Sequence, residues 1–479
     1  MATKKKTPAA PAALRLPTGG NPAFAMALRR QWQGTPPPAS GRVLVKFDPA
    51  ALQPAGPAAA ARGARSAAPR LAEPVAAPLR WLQEHAGLRS VEPLFAAAPL
   101  AARAAAASAA RGVSRATRSA AAAGAVAASA ATAHAALAGY TCLELDPAAV
   151  DERLLRKLRR APGVQVADRP PLRWLCATAG AGADPRQNSQ WALRAIGWYD
   201  QALPDASGVR VGILDSGIDA THPDLAANLA SYDQARFARL DHVGHGTHVA
   251  GIIAAVANNA VGIAGVANCR LRVWKVFGDR PDADGQLYVN DTAYVRALGN
   301  AAASDVRVVN LSLGGFEPNT VEHELIKLLQ QRGKLVVAAM GNEFGDGNPT
   351  EWPAAYPGVV AVGAVTIGQR RAAFSNTGRH ITLAAPGKTI LSTLPMKGSR
   401  FRADDEVEYA AWDGTSMATP CVVGCVALAL ARRPSLTAGD LAAALPKATR
   451  RPPSMKTRFS TAFGHGVIHL PRLFAAIRG

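Results

Sequence analysis

The spacing of apolar residues divides the chain into two parts. In the first part, apolar and polar positions alternate in short runs, which predicts strands with one buried face. These runs are residues 41–47, 140–145 and 163–168. A basic stretch with helical spacing, residues 150–160, lies between the last two. Strand, helix and strand around an insertion predict a small α+β domain.

Beyond about residue 185, uninterrupted apolar runs alternate with helical stretches. The runs are residues 209–214, 306–311 and 335–339. Such runs predict strands buried on both faces of a parallel sheet. The predicted fold is therefore α/β, with a doubly wound, mostly parallel sheet covered by helices on both faces and preceded by the small α+β domain. Ligand chemistry on such sheets gathers at the carboxyl ends of the strands.

Local composition sets the expected domain borders. Residues 1–40 are rich in Pro, Ala and Lys, which predicts a disordered basic arm. The α+β domain spans residues 41–175 and contains an insertion at about 96–138, where 25 of 43 residues are Ala. A flexible linker over residues 176–190 leads into the α/β domain, residues 191–479.

The net charge of +20 belongs mainly to the N-terminal third. Residues 1–180 carry +15 and residues 181–479 only +5. A basic module that binds nucleic acid or a membrane surface is therefore an alternative for the N-terminal third alone. Since no basic patch interleaved with aromatic residues accompanies the charge, we expect no nucleic-acid partner.

Composition excludes several other classes. With 49% apolar residues the chain is not wholly disordered, and five scattered cysteines are too few for a disulfide scaffold. The uncharged stretch 119–139 is mostly Ala and Ser, so we expect no membrane span. Prolines interrupt the basic N-terminus before any long apolar run, so no secretory signal is visible. Cytoplasmic and exported locations both stay open.

Four polar residues stand where the predicted strands and helices end or begin. Asp215 ends a buried strand, and His245 lies between two glycines at the start of an apolar helix. Ser416 precedes Pro420, which suits a first helical turn, so the hydroxyl is expected at a helix N-terminus. A serine nucleophile needs a base, and the base needs an acid to hold its tautomer. Asn342, at another strand end, could donate to an oxyanion.

The segments around these residues resemble the signature blocks of the subtilisin-like serine peptidases. The blocks are D-S-G-I-D from residue 215, H-G-T-H-V-A-G from 245, N-L-S-L-G-G from 310, A-A-M-G-N from 338 and G-T-S-M-A-T-P from 414. The resemblance implies a serine endopeptidase that acts on proteins or peptides as a monomer and needs no cofactor for catalysis. It implies a triad of Asp215, His245 and Ser416, with Asn342 in the oxyanion hole. A catalytically silent binding protein on the same scaffold is the alternative.

The same resemblance indicates where substrate would bind. Ser312, Leu313 and Gly314 correspond to the strand that pairs with the substrate backbone beside the primary pocket. Glu351 falls near the base of that pocket, where a carboxylate would favour Lys or Arg before the scissile bond. A carboxylate that points to solvent is the alternative for Glu351.

A structural calcium ion is a further implication. Residues 257–266 resemble the family's calcium loop, with Asp224 and Asn259 as side-chain ligands and Asp184 as a third. Ca²⁺ binds six to eight oxygens from carboxylates, amides and carbonyls. A plain glycine-rich turn without metal is the alternative.

The α+β domain resembles the inhibitory, fold-assisting propeptide of the family. The resemblance is clearest over residues 140–168, and the alanine-rich insertion departs from it. It implies a zymogen that binds its own propeptide and cleaves itself between about Arg173 and Gln190. Arg173 and Arg186 would suit a preference for basic residues.

Overall fold

The computed structural model describes residues 41–48, 73–94, 137, 139–170, 174–175, 178–179, 187–259, 261–280, 287–396 and 408–478. The predicted arm, most of the alanine-rich insertion and most of the predicted linker lie outside these residues.

The N-terminal domain is an antiparallel sheet with two helices. Its elements are β1 (Arg42–Phe47), α1 (Glu73–His85), β2 (Ser90–Pro93), β3 (Tyr140–Glu144), α2 (Glu152–Arg159) and β4 (Val164–Asp168). The strand order is β2-β3-β1-β4. Asp151 caps α2 by accepting the Leu154 amide at 2.7 Å, and the buried leucines of α2 face the sheet. The strands and the helix predicted here are confirmed, with ends shifted by one or two residues.

The two faces of this small sheet pack in different directions. Val43, Val45 and Phe47 face a core made with the N-terminal domain's own helices. Leu44 and Tyr140 belong instead to the core that surrounds two helices of the second domain. Both faces of the sheet are therefore covered at β1, and the expectation of a single buried face is wrong there, because Leu44 is buried on the face opposite Val43 and Val45.

The second domain is built on a nine-stranded sheet. Its strands are β7 (Arg210–Asp215), β8 (Leu229–Asp233), β9 (Arg270–Lys275), β10 (Val308–Leu311), β12 (Leu335–Ala339), β13 (Val360–Val365), β14 (Ile381–Pro386), β17 (Thr449–Arg450) and β18 (Val467–Ile468). Their order is β17-β18-β14-β13-β12-β10-β7-β9-β8, and only the edge pair β17–β18 is antiparallel. Short strands β5 (Trp174–Leu175), β6 (Thr178–Ala179), β11 (Leu313–Gly314), β15 (Ile390–Thr393) and β16 (Tyr409–Asp413) form two smaller sheets.

Helices cover both faces of the large sheet, as predicted. They are α3 (Trp191–Ala195), α4 (His245–Ala254), α5 (Asp291–Ala303), α6 (Thr320–Gln331), α7 (Thr415–Arg432), α8 (Ala438–Ala444) and α9 (Leu470–Ala476). Helices α4 and α7 share one core with Val211 and Ile213, whereas α5 and α6 share the other with Leu214. Helix α7 is long and apolar enough to cross a bilayer, but it is a core helix with 89% of its residues buried.

Helix α7 begins earlier than expected, and the difference matters for the site. Pro420 was expected in the first turn, but it is the sixth residue of the helix. Because proline has no N–H, Pro420 cannot donate the usual helical hydrogen bond to the carbonyl oxygen of Ser416, four residues earlier. The Ser312 hydroxyl donates to this carbonyl at 2.9 Å instead. The Ser416 carbonyl oxygen therefore ties the start of the helix to Ser312, which lies between β10 and β11.

Candidate active site

Asp215 and His245 meet at the carboxyl end of β7. His245 Nδ1 lies 2.7 Å from Asp215 Oδ1, and both side chains are buried. Asp215 Oδ1 also accepts the Ser216 amide at 2.7 Å. A proton on Nδ1 leaves Nε2 as an acceptor, and Nε2 contacts no hydrogen-bond partner in the described part of the chain. The imidazole can therefore receive a proton at Nε2.

A buried carboxylate that the sequence analysis did not identify holds the start of α4. Asp241 Oδ1 accepts the Ser216 hydroxyl and the Gly244 amide, both at 2.9 Å. Its Oδ2 accepts the Thr247 amide at 2.9 Å and the Thr247 hydroxyl at 2.7 Å. The bonds to Gly244 and Thr247 flank His245 in the chain, so they hold the backbone that carries its ring. The only signal in the sequence was an Asp four residues before His245.

A close backbone approach completes this arrangement. A Cβ on Gly246 would lie 2.1 Å from the Gly217 carbonyl oxygen, so no larger residue fits there. The Gly246 amide donates to the Ser216 hydroxyl at 2.9 Å. The turn after β7 therefore lies against the start of α4, with residues 216–217 in contact with residues 244–247. This contact brings Asp215 and His245 together.

Ser416 is the second residue of α7, as expected for a serine at a helix N-terminus. Its Oγ donates to the Ser312 carbonyl oxygen at 3.0 Å, and it is fully buried. The Trp412 ring, four residues earlier in the chain, lies 6.4 Å from the ring of His245. A rotation about the Ser416 Cα–Cβ bond can redirect the hydroxyl away from Ser312.

His248 also stacks on Trp412, with ring centroids 4.8 Å apart. Burial lowers the pKa of His248 to about 3, so this ring is neutral and has a packing role.

Asn342 lies three residues after the end of β12, and its carboxamide is oriented by Thr415. Asn342 Oδ1 accepts the Thr415 amide at 2.9 Å and the Thr415 hydroxyl at 3.1 Å. Because Oδ1 is the acceptor in both bonds, Nδ2 is the donor on the other branch of the amide. Thr415 precedes Ser416, so this donor is held beside the serine.

A segment of the same chain pairs with the strand that contains Leu313 and Gly314, and Ser312 directly precedes that strand. Strand β11 pairs antiparallel with β5, with Leu313 opposite Leu175 and Gly314 opposite Trp174. Strand β6, further along the same segment, pairs antiparallel with β16, with Asp413 opposite Thr178 and Trp412 opposite Ala179. Ser416 bonds to Ser312, the residue before β11, and follows the last residue of β16 by three positions, so both pairings lie close to the serine in the fold.

Glu351 is buried, so the solvent-facing alternative is wrong. Its Oε1 accepts from Asn376 Nδ2 at 2.9 Å. A Cβ on Gly341, the residue before Asn342, would lie 1.7 Å from the same oxygen. Asn376 Nδ2 also contacts Glu343 Oε2 at 3.2 Å. The carboxylate thus packs on the backbone next to Asn342, a position that only the absence of a side chain at Gly341 permits.

The two described residues predicted to bind calcium are hydrogen-bonded to each other. Asn259 turns its nitrogen toward Asp224, with Nδ2 2.6 Å from Oδ1, and its own oxygen accepts the Val261 amide at 2.8 Å. Asp184 lies outside the described residues. Among the residues that are described, no group of three or more His, Cys, Asp or Glu side chains is arranged to hold a metal.

Comparison with known proteins gives concordant matches. The sequence model of the Subtilase family matches residues 206–466. Subtilisin E from Bacillus subtilis (strain 168) is 34% identical over 297 residues, which cover 60% of this chain and 71% of that protein. An alkaline protease from Alkalihalobacillus alcalophilus is 42% identical over 231 residues, 48% of this chain and 56% of that protein.

A solved structure is similar over more of the chain. The crystal structure of fervidolysin from Fervidobacterium pennivorans, a keratinolytic enzyme related to subtilisin, superposes with a TM-score of 0.64 at 21% identity. The match covers 91% of this chain and 61% of that chain. At this identity the likeness concerns the fold, and it extends across both domains of the chain.

Proposed function

The chain belongs to the subtilase family of serine endopeptidases, and we propose that it hydrolyses peptide bonds through an acyl-enzyme formed on Ser416. The observation that carries the proposal is the buried 2.7 Å contact between His245 Nδ1 and Asp215 Oδ1, which leaves His245 Nε2 without a partner among the described residues. Subtilases need no catalytic cofactor, so side chains and backbone amides must supply all the chemistry.

In the proposed mechanism, Ser416 Oγ attacks the carbonyl carbon of the substrate and its proton passes to His245 Nε2. Asp215 holds the imidazole in the required tautomer and stabilises the imidazolium. The oxyanion of the tetrahedral intermediate accepts hydrogen bonds from Asn342 Nδ2 and the Ser416 amide. His245 then protonates the leaving amine, and a water molecule activated by the same ring hydrolyses the ester.

Ser416→Ala tests this mechanism. The variant loses one hydrogen bond to Ser312 O, about 1 kcal/mol, so it should fold, whereas hydrolysis of a peptide substrate should disappear. Ser207→Ala, at a serine that contacts only Asp205 in its own loop, is the matched control and should keep full activity. A folded Ser416→Ala protein that hydrolyses peptide at the original rate would refute the mechanism.

We also propose that the N-terminal domain is a propeptide whose own C-terminal segment is the first substrate. The pairing of β5 with β11 and of β6 with β16 supports this, since a substrate must cross the active site in the same extended form. Ser416 contacts Ser312 beside β11 and follows β16 closely in the chain, so we place the proposed scissile bond in the stretch that joins the two pairings, between Leu175 and Thr178.

That interval falls inside the range expected from the sequence, residues 173–190. The peptide bonds that follow Arg173 and Arg186 both lie outside the stretch from Leu175 to Thr178. The proposed cleavage site therefore differs from the two sites that a preference for arginine suggested.

Contacts between the domains support the same proposal. Tyr140 donates to Glu324 Oε2 at 2.5 Å, and Arg42 Nη1 lies 2.7 Å from Asp291 Oδ1. A second ion pair has its cation on the other domain: Arg296 of α5 pairs with Glu92 of the N-terminal domain at 2.7 Å. The N-terminal sheet thus contacts α5 and α6 through polar bonds as well as through apolar packing.

Sequencing the N-terminus of the purified, active protein tests the processing proposal. A new terminus at residue 176, 177 or 178 is expected, and Ser416→Ala should remain a single 479-residue chain. A terminus after Arg186, or a full-length chain that is fully active, would contradict the proposal.

We propose that Glu351 gives the primary pocket a preference for Lys or Arg. Its burial beside Gly341 and Asn342 supports a position at the base of the pocket. Matched peptides with Arg or Leu before the scissile bond should differ in kcat/KM in favour of Arg. Glu351→Gln retains the shape and should lose that preference, whereas a wild-type enzyme that cleaves faster after Leu would contradict it.

A further inference from the structure

The loop that resembles a calcium site is closed by hydrogen bonds from within the protein. Asp224 is fully buried. Its Oδ1 accepts from Asn259 Nδ2 at 2.6 Å, and its Oδ2 accepts the Ile263 amide at 2.9 Å. A second donor to Oδ2 is the Tyr409 hydroxyl, also at 2.9 Å. The carboxylate therefore has protein donors on both oxygens.

Tyr409 comes from a distant part of the chain and fills the space over the loop. Gly262 has a φ of +55°, and a Cβ there would lie 2.0 Å from the Tyr409 hydroxyl oxygen and 2.4 Å from Asp224 Oδ2. The Tyr409 ring stands perpendicular to the His222 ring, with centroids 5.3 Å apart. The loop, the carboxylate and the tyrosine are thus in direct contact.

Three further hydrogen bonds hold the segment around Asp224. His222 Nδ1 accepts the Asp224 amide at 3.1 Å, and His222 Nε2 lies 3.2 Å from the Glu408 carbonyl oxygen. The Asp224 carbonyl oxygen accepts the Val256 amide at 2.8 Å. A cation at Asp224 would have to displace the three donors that its carboxylate binds.

We propose that the hydroxyl of Tyr409 takes the structural role of a calcium ion at Asp224, so that this loop is held by hydrogen bonds and does not bind calcium. Because Tyr409 begins β16, the contact also ties the loop to the strand that pairs with β6 beside Ser416. The tyrosine therefore connects loop 256–265 to the strand that precedes Ser416.

Thermal unfolding of the full-length Ser416→Ala protein tests the proposal without self-digestion. The unfolding temperature should be the same with added CaCl₂ and with a chelator. Tyr409→Phe should lower it in both conditions, since Asp224 loses a buried donor, while Tyr199→Phe, at an exposed tyrosine, should leave it unchanged.

Asp224→Asn distinguishes the remaining outcomes. If calcium stabilises the parent protein and Asp224→Asn abolishes that response, the ion binds at this carboxylate and the proposal is wrong. If the response persists in Asp224→Asn, the ion binds elsewhere and the proposal stands. A Tyr409→Phe protein with an unaltered unfolding temperature would also overturn the proposal, because the tyrosine would then contribute nothing to the loop.

Discussion

Replacing Asp241 by Asn changes one atom in the network that holds α4. The Asn oxygen can keep the two bonds that Asp241 Oδ1 accepts, from the Ser216 hydroxyl and the Gly244 amide. Its NH₂ group replaces Oδ2, which accepts hydrogen bonds from the Thr247 amide and hydroxyl. A donor then faces two donors, so neither bond can form. The Thr247 hydroxyl already accepts the Asp219 amide at 2.9 Å, so it has little freedom to reverse.

The magnitude follows from this count. Two charge-assisted bonds are lost, and one buried amide is left without an acceptor. At about 1.5–3 kcal/mol for each charge-assisted bond, the free energy of unfolding should fall by about 3–6 kcal/mol. His245 lies between Gly244 and Thr247, so a shift of the helix start also moves its ring. A displacement of about 1 Å costs on the order of 100-fold in rate.

Two assays separate the two effects. Denaturant unfolding of Asp241→Asn in the Ser416→Ala background gives the change in stability without self-digestion. The kcat and KM of the processed Asp241→Asn enzyme give the change in positioning, which should fall on kcat because Asp241 lies outside β11 and β16. Asp205→Asn, at an exposed carboxylate that bonds to Ser207 in its own loop, is the matched control and should change neither quantity.

An Asp241→Asn enzyme with the parent stability and kcat would refute the reasoning. A loss of stability with an unchanged kcat would show that the network holds the fold but does not position His245.

Three further predictions concern single residues of the site. Asn342→Asp keeps the acceptor for Thr415 but removes the Nδ2 donor, so kcat should fall about 10²–10³-fold with KM nearly unchanged; an unchanged kcat would exclude Asn342 from the oxyanion hole. Gly246→Ala forces a Cβ onto the Gly217 carbonyl and should lower the unfolding temperature by several degrees, whereas Gly208→Ala, in open space, should not.

His248 has a pKa of about 3 in the folded protein and about 6.5 when unfolded, so the unfolded state binds the proton first as pH falls. The free energy of unfolding should therefore decrease by up to about 1.4 kcal/mol per pH unit from about pH 6.5 to pH 3. His248→Gln should remove that part of the pH dependence, and an identical pH profile in the variant would contradict the assignment.

Local patterns gave most of the fold because secondary structure and burial depend on residues close together in the chain. The apolar run before Asp215 and the alternation along residues 41–47 each correspond to one observed strand. The end of an element is less certain from such patterns. The sequence places Pro420 in the first turn of α7, but the helix begins at Thr415, five residues before the proline. The Ser416 carbonyl, which cannot accept from Pro420, accepts from the Ser312 hydroxyl instead.

The sequence by itself determined the α/β fold, the order of the motifs, and Asp215, His245, Asn342 and Ser416 as the residues to consider. These depend on periodicity and on short motifs, which are local properties. The tertiary structure alone decided how distant segments meet. It joined β5 to β11 and β6 to β16, and it brought Tyr409 to Asp224 across 185 positions. Long-range contacts leave no periodic trace, because they arise from the packing of complete elements rather than from neighbours in the chain.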